Sequence, residues 1–78
     1  METEEKDKVS YSDMKTTARL NYRTACSFDA DNIAGVLEKG TTVKVEDDSE
    51  TFAHGYLWCK IRLGRKEYYV CTAWLESV

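Results

Sequence analysis

Tyr56-Leu57-Trp58-Cys59-Lys60-Ile61-Arg62-Leu63-Gly64-Arg65-Lys66-Glu67-Tyr68-Tyr69-Val70 is the stretch that decides the fold. Two β-rich runs flank Gly64, and glycine supplies the positive φ needed at the first central position of a two-residue hairpin turn. With Gly64 and Arg65 at the turn, Ile61 lies opposite Tyr68, Cys59 opposite Val70 and Trp58 opposite Cys71. Side chains alternate along a strand, so Leu57, Cys59, Ile61 and Leu63 share one face with Tyr68 and Val70. Tyr56, Trp58, Lys60 and Arg62 share the other face with Tyr69 and Cys71. The hairpin is expected to carry an apolar core face and an outer face of aromatic rings and cations.

Outward from this hairpin the pattern stays short and β-rich. Residues 41–46 put Val43 and Val45 on one face, following a Glu38-Lys39-Gly40 turn that ends the extended run 33–37. Residues 16–23 read as a half-buried strand with Ala18, Leu20 and Tyr22 inward. Between these runs, residues 24–32 form an irregular exposed loop with Phe28 as its anchor to the core. The acidic loop 47–51 lacks the oxygen spacing of a calcium site. At the C-terminus, residues 72–78 are too few for an independent helix and read as a tight turn and a closing strand, with Leu75 packed inward. Residues 1–15 are polar, without periodicity, and are expected to be a flexible tail before a domain spanning 16–78. Five or six short strands predict an all-β fold, a small and partly open barrel, because closure hides the edges of so small a sheet.

Composition narrows the function classes. At 78 residues the chain makes one domain, with little room for an enclosed catalytic pocket. Its formal net charge of −3 argues against binding a phosphate backbone, so no nucleic-acid partner is expected. Lys60, Arg62, Arg65 and Lys66 are a local basic group, read as a solvated hairpin face that could also meet an anion. No apolar run approaches the ~18 residues of a membrane span, and residues 1–8 lack the apolar core of a signal peptide. The expectation is a soluble chain, either intracellular or cut from a longer exported protein.

The cysteines number three, so they cannot form a complete intramolecular disulfide set. Cys26, Cys59 and Cys71 with the lone His54 supply a zinc inventory, but without Cys-x-x-Cys spacing they read as packed small hydrophobes. The hairpin register also puts Cys59 and Cys71 on opposite faces. His54, beside Gly55 in an expected loop, has no nucleophile assigned to it, and neither an enzyme nor a cofactor is expected.

The order Leu20-Asn21-Tyr22-Arg23, then Gly35-x-Leu37-x-Lys39-Gly40-x-x-Val43-x-Val45, Gly55-x-x-Trp58-x-Lys60-Ile61, Gly64, Tyr69-Val70 and Trp74-Leu75 resembles the bacterial SH3-like domain. The resemblance spans residues 16–78. It departs from the family's pattern at Thr24-Ala25-Cys26-Ser27, in the loop that often borders the ligand groove, and at Tyr68, where a glycine is usual. It implies an SH3-like barrel and a non-catalytic module that recognises peptides, most specifically those of the bacterial cell wall. Asn21, Arg23 and Trp58 match the family's recurrent positions. The outer face of the hairpin adds Tyr56, Lys60, Arg62 and Tyr69, whose rings offer flat apolar area and whose cations could meet a peptide carboxylate. The alternative expectation is a free-standing intracellular interaction or inhibitor domain, phage-encoded ones included, with a protein as its partner. Free thiols suit a reducing compartment and favour that alternative.

Overall fold

The computed structural model describes residues 10–78. The architecture is all-β, with strands β1 (Tyr11–Thr16), β2 (Leu20–Arg23), β3 (Ile33–Leu37), β4 (Thr42–Glu46), β5 (Thr51–Ala53), β6 (Tyr56–Leu63), β7 (Lys66–Cys71) and β8 (Leu75–Ser77). These form one antiparallel sheet in the order β3-β2-β7-β6-β4-β1-β8, with β5 attached to β6. Side chains from β2, β3, β4, β6 and β7 meet in a single apolar cluster against which Met14 of β1 and Leu75 of β8 pack. The sheet therefore curls around its own core while β3 and β8 remain unjoined at its ends. Among the described residues no helix is long and apolar enough to cross a membrane.

The decisive hairpin has the expected register, with Ile61 opposite Tyr68, Cys59 opposite Val70 and Trp58 opposite Cys71. Gly64 has φ +64° while Arg65 keeps a negative φ, as a Gly-x turn requires. On the core face Ile61 and Val70 are 0% exposed and Cys59 is 1%. Leu57 departs from the expectation: it belongs to the part of β6 that pairs with β5, and it stands 38% exposed opposite Phe52.

Among the described residues strands number eight, beyond the five or six expected, and the differences have local causes. Residues 11–15, expected in the tail, form most of β1 and pair with β4 from Tyr11 opposite Glu46 to Lys15 opposite Thr42. Their polar sequence hid them, because β1 buries only Thr16 fully and half-buries Met14. The expectation for residues 1–9 lies outside the described residues. The run 16–23 is divided by a bend, so that Thr16 closes β1 and Leu20 opens β2. Strand β5 is held by a two-residue turn in which His54 and Gly55 both have positive φ, 53° and 80°. Both central residues of a type I′ turn need that conformation, and His-Gly is a weaker signal for it than Asn-Gly.

Strand β6 changes partner along its length, pairing with β5 through Tyr56–Trp58 and with β4 through Ile61 and Arg62. Ser49 bridges the changeover: its hydroxyl donates to the Glu46 carbonyl at 2.6 Å and accepts from the Lys60 backbone N–H at 3.0 Å. The expected C-terminal turn and closing strand are present as a 3-10 turn, Thr72–Trp74, followed by β8, with Leu75 against the core.

Thr16 joins the end of β1 to the 38–41 turn. It is 1% exposed, and its hydroxyl donates to the Glu38 carbonyl at 2.7 Å and accepts from the Thr41 N–H at 3.0 Å. Replacing Thr16 with valine keeps the shape and removes both bonds. A typical hydrogen bond contributes about 0.5–1.5 kcal/mol net, so chemical denaturation of Thr16→Val should show a loss of about 1–3 kcal/mol for the two, and an unchanged midpoint would contradict the tie.

Candidate functional site

Trp58 anchors the second face of the hairpin, but not as the exposed ring the alternation suggested. It is 1% exposed, Cys71 opposite it is 2%, and its indole Nε1–H donates to the Ala53 carbonyl at 2.8 Å. The cover comes from the 24–32 loop and the neighbouring aromatics. Phe28 lies with its ring centroid 4.9 Å from Trp58 and meets Tyr56 edge-on at 5.4 Å. Tyr56 in turn stacks on Trp74 at 5.6 Å, with 28° between the rings. Phe28 thus anchors its loop as expected, resting on Trp58 rather than entering the main core cluster.

Arg23 holds that loop in place. Its side chain crosses from β2 under the loop, is 8% exposed, and donates through Nη1 to the Asp29 carbonyl at 2.9 Å and to Asn32 Oδ1 at 3.0 Å. Asn32 extends the network by donating through Nδ2 to the Ser27 hydroxyl at 2.6 Å. The Arg23 guanidinium also sits 5.3 Å from the centre of the Phe28 ring, within the range of a cation–π contact. A buried charge needs several acceptors, and these carbonyls supply them.

Between this loop and β2 opens a groove of about 390 Å³. Phe28 and Trp74 give it two aromatic walls above the buried Trp58, while Arg19, Asn21 and Arg23 bring polar groups to it. Leu20, Val36 and Cys71 complete the lining. Arg19 is the accessible cation. Its Nε lies 3.3 Å from Glu38 Oε2, with side chains 70% and 73% exposed, and a pair so open to water contributes little. A ligand carboxylate can therefore recruit Arg19 at small cost, whereas Arg23 is committed to the loop.

The groove gathers Asn21, Arg23 and Trp58 from the expected site residues, with Tyr56 stacked beside it on Trp74. Lys60, Arg62 and Tyr69 stand outside it. The Lys60 ammonium is 3.9 Å from Glu46 and 3.7 Å from Glu67, and these carboxylates, Glu46 foremost, raise its pKa above the ordinary value. Arg62 donates through Nε to the Gly64 carbonyl at 3.1 Å and through Nη1 to the Tyr11 hydroxyl at 3.3 Å. Tyr69 is half-buried in the ladder, opposite Lys60 and Arg23. The outer face of the hairpin is thus divided into an aromatic half at the groove and an ion-paired half near the Gly64 turn. Arg19, Phe28 and Trp74 were not singled out for the site, although each carried a signal: a cation beside the first motif run, a lone aromatic in a polar loop, and a tryptophan in the closing turn.

The three cysteines are free. Burial pushes the Cys59 thiol up to about 12, with nearby Glu50 adding to the effect. Burial raises Cys71 as well, against the opposing pull of Arg23, and raises Cys26. These shifts disfavour the free thiolate at all three positions. Cys26, His54, Cys59 and Cys71 do not converge: among the described residues no three His, Cys, Asp or Glu side chains could hold an ion together. His54 is confined to the exposed β5–β6 turn. The groove offers aromatic area and an adjustable cation. The sequence matches no family model, and no curated protein or solved structure matches it.

Proposed function

We propose that this chain is a non-catalytic binding module that holds an extended peptide in the groove between β2 and the 24–32 loop. One observation carries the reading: Phe28 and Trp74, over the buried Trp58, line an open groove beside Arg19, a cation held among the described residues by an exposed pair. Flat aromatic walls accept extended peptides with little ordering of their own, and a cation at the rim orients a carboxylate. The resemblance to bacterial SH3-like domains narrows the ligand to the peptides of the cell wall, which are short and carry free carboxylates.

Phe28 provides the test, because it is 45% exposed and lies outside the main core cluster. Wild-type protein should sediment with purified bacterial walls, and Phe28→Ala should weaken that binding at least about tenfold, the equivalent of ~1.4 kcal/mol, while keeping a cooperative folding transition. Wild-type protein left in the supernatant would overturn the cell-wall reading. The three free thiols favour a second reading, in which the groove takes a peptide segment of a protein partner in a reducing compartment. Retention of a host protein by wild type and not by Phe28→Ala, with no sedimentation on walls, would select it.

A further inference from the structure

The groove beside β2 differs in charge from the chain around it. In a protein of net charge −3, its lining among the described residues carries Arg19 and Arg23 and no carboxylate. A second hollow, over β1 beside the 47–50 loop, has the opposite character, with Asp13, Glu46, Asp47, Asp48 and Glu50 in its described lining and no cation. Arg23 sharpens the contrast. Its guanidinium is 8% exposed, its two acceptors, the Asp29 carbonyl and Asn32 Oδ1, are neutral, and it has no ion-pair partner among the described residues. A charge buried without a counter-ion sends a positive potential into the adjoining space, where the low dielectric of the protein screens it weakly. Burial raises the Cys71 thiol in the groove lining and Arg23 opposes that rise, so the groove lies within reach of its field.

Strand β2 runs from Leu20 to Arg23, with Arg19 immediately before it and the 24–32 loop immediately after it. The accessible cation therefore stands at the end of the groove away from the loop, where it meets the end of an extended chain rather than its middle. Within the protein Glu38 pairs with it, Oε2 lying 3.3 Å from Arg19 Nε. The backbone of Glu38 is fixed, because its carbonyl accepts from the Thr16 hydroxyl at 2.7 Å, the Thr41 hydroxyl at 2.6 Å and the Thr41 N–H at 3.2 Å. Its side chain is 73% exposed. The carboxylate is anchored at its root and loose at its tip, so it can leave Arg19 without disturbing the fold.

We infer that the groove selects a peptide ending in a free α-carboxylate, and that Glu38 is a built-in competitor which this carboxylate displaces from Arg19. The inference rests on the peptide-binding reading of the groove, and adds which end of the peptide is held and which residue sets the affinity. Exchanging one carboxylate for another keeps Arg19 paired throughout. The gain comes from the setting: the incoming carboxylate lies in the field of Arg23 and against the aromatic walls, whereas the Glu38 pair is open to water. A peptide with a blocked terminus offers Arg19 nothing and leaves the Glu38 pair in place.

Calorimetric titration of the folded chain with one soluble cell-wall peptide in three forms tests this: unmodified, amidated at its C-terminus, and amidated at its side-chain carboxylates. The two forms with a free terminus should bind alike, at least about threefold more tightly than the C-terminally amidated one. Glu38→Gln should tighten both of them about two- to fivefold, the range of an exposed ion pair, and leave the C-terminally amidated form unchanged. Arg19→Gln should erase the preference, and adding Glu38→Gln to it should change nothing further, which a merely structural role for Glu38 does not predict. Equal affinity for the unmodified and C-terminally amidated forms would overturn the inference while leaving the groove reading in place. So would a preference that follows the side-chain carboxylates, or a Glu38→Gln variant that binds the unmodified peptide no better than wild type. Failure of all three forms to bind wild-type protein would overturn both.

Discussion

Trp58→Ala is expected to remove a large share of the domain's stability instead of merely emptying the groove. The indole is 1% exposed, roofed by Phe28 and tied through Nε1 to the Ala53 carbonyl at 2.8 Å. Truncating a buried tryptophan costs about 3–5 kcal/mol. At ~0.05–0.15 kcal/mol per residue, a domain of this size has a total stability of about 4–12 kcal/mol. Thermal melting should show the transition lowered by at least about 10 °C in the alanine variant. Trp58→Phe separates packing from hydrogen bonding: it keeps a ring under Phe28, leaves the Ala53 carbonyl without its donor, and should cost about 1–3 kcal/mol. An alanine variant with an unchanged transition would mean that the ring is not part of the packed structure. Loss of binding in Trp58→Ala says little about ligand contact for the same reason, and Phe28→Ala is the sharper probe.

Ile61 and Leu57 sit on the same face of one strand and should respond oppositely. Ile61 is 0% exposed in the central cluster, and Ile61→Ala should cost about 2–5 kcal/mol through lost transfer energy and the cavity left behind. Leu57 is 38% exposed over the β5 hairpin, so Leu57→Ala should stay within about 0.5 kcal/mol of wild type. Urea unfolding of the two variants tests the point at which β6 leaves the core. Equal losses at both positions would contradict the change of strand partner.

That pair also marks how far the sequence could be read. Alternation around Gly64 correctly placed every facing pair of the β6–β7 hairpin, because a two-residue turn leaves the register no freedom. It said nothing of which strand lies beside each half of β6, and hence nothing of where the core stops. Burial of Trp58 depends on a loop thirty residues earlier in the chain, a long-range contact that local periodicity does not encode. Val43 and Val45 were legible for the opposite reason, since a strand packed on one face announces itself by its own alternation. Strand β1 was missed because its side chains are mostly polar and its place is set by backbone pairing with β4 and β8. The site was partly legible: Asn21, Arg23 and Trp58 lie in the groove, while Lys60 and Arg62, equally prominent by composition, are occupied with Glu46, Glu67 and the Gly64 turn. Charge in a sequence does not reveal its partners, and Arg19 is the cation that the fold leaves adjustable at the groove.

The most direct measurement is an NMR titration of the folded chain with soluble peptide fragments of the bacterial cell wall. Shifts concentrated at Arg19, Asn21, Phe28 and the indole N–H groups of Trp58 and Trp74 are expected, with the Gly64 turn undisturbed. Saturating peptide that moves none of these signals, or that moves only Lys60, Arg62 and the residues around Gly64, would contradict the assignment of the groove as the peptide site.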